Sequence, residues 1–87
     1  MNYKKLLSNV ATSQGYCLGL ETHHRLQLNN KRAEHFSRLA VGFSRLLLKI
    51  KQRARRNVAL SMSEYHEIEH SGLKQGIKQA SEHVSVK

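Results

Sequence analysis

His66-Glu67-Ile68-Glu69-His70 reads formally as H-E-x-x-H, two imidazoles one helical turn apart with a carboxylate between them. On a helix that spacing suits two zinc ligands and a general base, the arrangement of a metallopeptidase. The rest of the chemistry is missing. His83 lies 13 residues beyond His70, and nothing nearer is His, Cys or Asp. The extended form of the motif needs a glycine and a histidine where this chain has Leu73 and Gly76. Glu69 also puts a charge where such motifs favour an uncharged residue. Six histidines in 87 residues make a chance pair easy to find. There is no glycine-rich phosphate loop and no nucleophile–base arrangement. The sequence therefore predicts no enzyme: no catalytic residue, no metal ligand set and no cofactor.

A second set of residues carries more weight. Residues 31–60 hold nine Lys or Arg and a single acid, Glu34, whereas the flanking thirds are nearly balanced. Charge gathered in one third of a chain with net charge +9 points to a polyanionic partner. The densest run, Lys49-Ile50-Lys51-Gln52-Arg53-Ala54-Arg55-Arg56, is rich in arginine, whose forked donors match phosphate oxygens. With no tryptophan and only five aromatic residues, stacking on unpaired bases is a poor fit. The candidate nucleic-acid-binding residues are Lys31, Arg38, Arg45, Lys49, Arg53, Arg55 and Arg56. An acidic protein surface is the competing partner.

The element that must carry them is a helix over residues 31–60. Phe36, Leu39, Phe43, Leu46, Leu47, Ile50 and Ala54 recur at intervals of three and four and share a face, and Phe36-Ser37-Arg38-Leu39 returns as Phe43-Ser44-Arg45-Leu46. The helical period sets Lys31, Arg38, Arg45, Lys49, Arg53 and Arg56 opposite that seam, as a stripe about 38 Å long. Val41 and Leu48 form a smaller apolar strip that suggests a second partner helix. Ser61 and Glu64 have capping-box spacing and start a helix over 63–82. Its apolar arc is Tyr65, Ile68, Leu73, Ile77, Ala80 and Val84, with Gly72 and Gly76 on the same arc to admit a close backbone. Glu69 sits within that arc and calls for a cation from the preceding helix. Residues 2–13 suit a short helix that Gly15 and Gly19 break, and residues 20–30 read as strand, loop or helix.

Arg25-Leu26-Gln27-Leu28, then a helix, then Gly42-Phe43-Ser44 before another helix resembles the ribbon-helix-helix DNA-binding family over residues 24–59. The resemblance implies a strand in the major groove, with Arg25, Gln27 and Asn29 reading bases and residues 42–44 gripping phosphate. The two readings part at Gly42, which the heptad treats as helix interior and the resemblance as a turn.

The fold class expected is all-α, a small helical hairpin of the long basic helix on the 63–82 helix, with the short N-terminal helix and its glycine connector (1–20) covering one end. At 87 residues it forms a single domain, and self-association into a homodimer is a natural way to bury more surface. The lone Cys17 fits a reducing compartment. No run reaches the ~20 apolar residues of a membrane span. The opening residues are too polar for a signal peptide, so a cytoplasmic location is expected. The function expected is a small nucleic-acid-binding regulator (DNA or RNA). An adaptor or inhibitor docking on an acidic protein, or a ribbon-helix-helix-like repressor, is the alternative.

Overall fold

The computed structural model describes residues 2–57 and 62–85. They form three helices: α1 (Tyr3–Leu26), α2 (Asn30–Asn57) and α3 (Met62–Ser85), with no strand among the described residues. The all-α class is as expected. The arrangement differs from the hairpin, because α2 and α3 both pack on α1 rather than mainly on each other. The N-terminal helix is not a short cap but the centre of the bundle, 24 residues long.

Gly15 and Gly19 explain the difference. Sequence reasoning treats them as breakers, yet both lie inside α1 and face α3. A Cβ on Gly15 would overlap the Leu73 carbonyl, whose carbon would lie 2.9 Å away, and one on Gly76 would overlap the Thr12 carbonyl oxygen. Gly72 meets Ala11, and Gly19 meets Ala80. Small residues four apart on both helices thus let α1 and α3 run side by side, in parallel, at backbone contact. The close approach read from Gly72 and Gly76 is found here, with α1 as the neighbour.

The other side of α1 receives α2. Leu7, Val10 and Ala11 of α1 meet Leu47, Ile50 and Ala54 of α2, and Tyr65 of α3 completes the cluster. On α2 the buried positions are Ala33, Ala40, Leu47, Ile50 and Ala54, with Phe36 and Phe43 half-buried between them. The heptad is present, but its seam runs through the alanines. Leu39 and Leu46, expected in the seam, stay 40% and 43% exposed. Alanine at 33 and 40 lets the helices close on the phase of Ala33, Ala40 and Leu47, and Leu39 and Leu46, each one residue before a seam position, swing to the flank. On α3 the arc narrows in the same way: Tyr65, Gly72, Gly76 and Ala80 are buried, while Ile77 is exposed.

Residues 25–28, the candidate strand, are the last turn of α1 and the turn after it. Leu28 N–H donates to the Arg25 carbonyl (3.0 Å) and Asn29 N–H to that of His24 (2.8 Å), closing the helix end with Leu28 at φ 59°. This paired 5→2 and 6→1 pattern ordinarily places glycine at the left-handed position. Asn29 then accepts from Arg32 N–H (3.4 Å) and caps α2, as Asn2 accepts from Lys5 N–H (3.1 Å) at the start of α1. Gly42 lies within α2, with no positive φ. The strand and turn that the ribbon-helix-helix resemblance requires are therefore absent from these residues. The capping box at Ser61 and the end of the basic helix at residues 58–60 lie outside the described residues.

Candidate polyanion interface

Seven cations define the candidate face, and α2 carries all of them. Lys31, Arg38, Arg45, Lys49, Arg53, Arg55 and Arg56 are each exposed, while the buried seam of the same helix is turned to α1. Exposure follows from phase: the stripe lies roughly 180° around the helix from the alanine seam.

The structure divides the stripe into parts. Lys31, Arg38 and Arg45 succeed one another every seven residues along the outer face. Lys49, Arg53 and Arg56 instead border a groove of about 490 Å³ between the start of α1 and the end of α2, with Tyr3, Leu6, Leu46 and Ile50 along it. Arg55 falls on the opposite flank, in phase with Leu48. The α1 side of that groove was not legible in the sequence, because Tyr3 and Leu6 reach the basic run only through the antiparallel pairing of α1 with α2. Arg32 is also exposed in the first turn of α2 and was missed for lying off the stripe's centre. Lys4 and Lys5, likewise exposed, line a shallow cleft with Glu67 and Ile68 of α3.

Acid is segregated from this face. Of the six glutamates only Glu34 belongs to α2. Glu69 forms an ion pair with Lys51, the cation from α2 that its place in the α3 arc calls for, and both side chains are largely withdrawn from solvent at 20% and 24% exposed. The pair joins α2 to α3 where the two helices converge, and it takes Lys51 out of the set available to a ligand. Glu21 lies 3.7 Å from Arg25 one turn on.

His66 and His70 are exposed on α3 with Glu67 beside them. Among the described residues no group of three or more His, Cys, Asp or Glu is placed so that it could hold a metal ion, there or elsewhere. Cys17 is buried between α1 and its neighbours, and burial pushes its thiol up from the ordinary value of 9.0. Such a thiol is protonated near neutrality and is neither a good nucleophile nor a ready metal ligand. Around Phe36 three histidines assemble. His24 stacks on its ring (centroids 5.5 Å, planes 3° apart), His35 meets its edge, and His23 meets the edge of His24. These contacts pin the α1–α2 end of the bundle. No described helix is long and apolar enough to cross a membrane.

Compared with protein families, with curated proteins and with solved structures, the chain matches none of them.

Proposed function

We propose that this chain is a small non-enzymatic regulator that binds DNA or RNA through the outer face of α2, acting as a homodimer. One observation carries the reading: the longest helix turns a row of cations about 38 Å long to solvent, with the protein's acids held almost wholly on the other two helices. The row, whose far end borders the α1–α2 groove, is comparable in length to one turn of duplex, roughly 34–36 Å, so it can reach phosphates on both sides of a groove. Contacts of this kind position without reading bases, and sequence preference is expected to be weak.

Titration of duplex DNA and RNA at two salt concentrations tests it. Six phosphate contacts give a log–log salt slope near −5, and affinity falls about a thousandfold between 50 and 200 mM salt. Arg38→Glu with Arg45→Glu removes two contacts and makes the slope shallower by about two. Unchanged affinity in a folded double variant would remove the proposal.

The groove favours a second reading. Lys49, Arg53 and Arg56 beside Tyr3, Leu6, Leu46 and Ile50 suit the carboxylates and apolar face of an acidic amphipathic helix. On that reading no nucleic acid binds even at low salt, and a protein partner is lost on Leu46→Glu.

A further inference from the structure

We propose that two copies associate through an antiparallel pairing of their α2 helices, centred on a two-fold axis between Ser44 and Arg45. The proposal deepens the homodimer reading and does not depend on which polyanion binds. The surface is the strip Glu34, Val41, Leu48 and Arg55, spaced every seven residues and exposed throughout. Val41 and Leu48 are 50% and 57% exposed, the most exposed apolar side chains of α2, and nothing in the described fold covers them.

The strip is complementary to itself when reversed. With the axis between Ser44 and Arg45, Val41 of one copy faces Leu48 of the other and Glu34 faces Arg55, and symmetry repeats each contact. Glu34 is the only acid on α2. It forms no ion pair with a described residue, although Arg38 lies one turn on. A lone carboxylate at one end of an apolar strip and an arginine at the other end is what an antiparallel copy needs. A parallel copy would set glutamate on glutamate and arginine on arginine.

Helical geometry agrees with the register. Residues every seven positions drift by about 20° per repeat on a straight helix, so the strip wraps gently to the left. Two such strips stay in line at a crossing angle near +20°, the common value for helices packed side by side. The short Ser37 and Ser44 border the strip and leave the second backbone room to approach. Two apolar pairs closed by two ion pairs make a small interface, which places the dimer among weak and transient complexes. Pairing in this way sets two cationic rows beside each other, pointing in opposite directions.

The test uses the full chain without nucleic acid, at about 0.3 M salt, so that repulsion between two copies of net charge +9 is screened. In a Cys17→Ala background, Val41→Cys and Leu48→Cys proteins are oxidised each alone and, in a third sample, after mixing in the reduced state. The expected result is a cross-linked dimer in the mixture and little in either protein alone. Like-with-like cross-links as strong as the mixed one, or none at all, would overturn the register. Sedimentation velocity on the charge pair gives an independent readout in the natural background. Glu34→Arg should weaken the dimer about tenfold, as two exposed ion pairs become repulsions, and adding Arg55→Glu should restore it. A double variant no tighter than the single, or a natural chain that stays monomeric at about 100 µM, within the range expected of weak interfaces, would refute the proposal.

Discussion

The glycines of this chain make opposite predictions at Gly76 and Gly42, and alanine at each tests the packing directly. In an exposed helix interior, glycine to alanine is worth roughly 0.5–1 kcal/mol in favour of alanine. Gly42 is such a case, since a Cβ there meets nothing within 4 Å. Gly76 gains the same propensity term but meets α1: the new Cβ would overlap the Thr12 carbonyl oxygen and lie 2.6 Å from Tyr16 N and 2.9 Å from the Gly15 carbonyl carbon. All three are backbone atoms, so no rotamer change makes room. Ordinary contact requires α1 and α3 to part by about 1 Å, which forfeits a quarter to a half of each dispersion contact along the line where they touch. A net loss of about 2–4 kcal/mol follows, against a total stability on the order of 4–13 kcal/mol for a chain of this size. Thermal unfolding followed by circular dichroism reads the difference. Gly42→Ala should raise the midpoint by roughly 2–8 °C, and Gly76→Ala should lower it by about 8 °C or more. Gly15→Ala, against the Leu73 carbonyl, should behave like Gly76→Ala. If Gly76→Ala were as stable as the natural chain, α1 and α3 could not be in backbone contact, and α1 would lose its place at the centre.

Leu28 occupies a left-handed position with its side chain 85% exposed, so Leu28→Gly should stabilise by about 0.5–1 kcal/mol in urea melts. Tyr65 is 2% exposed and its hydroxyl makes no hydrogen bond to a described residue; Tyr65→Phe should be neutral or slightly stabilising, whereas Tyr65→Ala should cost about 3–5 kcal/mol in the same assay. The Cys17 thiol should react with iodoacetamide at least about tenfold more slowly in the folded chain than in urea. Because burial raises its folded-state pKa, its contribution to stability is complete below the ordinary value of 9.0 and is lost as pH rises through the folded value, so alkaline titration should lower the melting midpoint.

What could be read from the sequence follows from how each helix is exposed. α2 packs on one side only, so its cations and its apolar residues separate cleanly by phase, and the stripe from Lys31 to Arg56 is visible without a structure. The fine position of its seam is not. Phe36, Leu39 and Phe43 satisfy the three-and-four rule as well as Phe36, Ala40 and Phe43 do, and only the closeness of α1 favours the alanines. α1 was opaque for the opposite reason. It packs on two sides, placing Leu7 and Val10 toward α2 and Gly15 and Gly19 toward α3, with Ala11 touching both, so no single apolar face emerges. Glycine then reads as an interruption, because propensity counts its entropic cost while the compensating contact lies some sixty residues away along the chain.

The central place of α1 also bears on how a chain this small can offer a whole helix to the proposed ligand. A two-helix hairpin would have to share α2 between its own core and its partner, and its one thin seam would leave little stability for a face crowded with like charges. Here α1 holds α3 through backbone contact that needs no large side chains, and it keeps its larger apolar residues for α2. The Lys51–Glu69 pair spends one carboxylate to fix the end where α2 meets α3. Of the remaining acids only Glu34 lies on α2, one turn from Arg38, and Lys31, Arg38 and Arg45 belong to no packing contact that their charge would disturb. Reversal of charge at Arg38 and Arg45 is therefore a test of binding that folding leaves open.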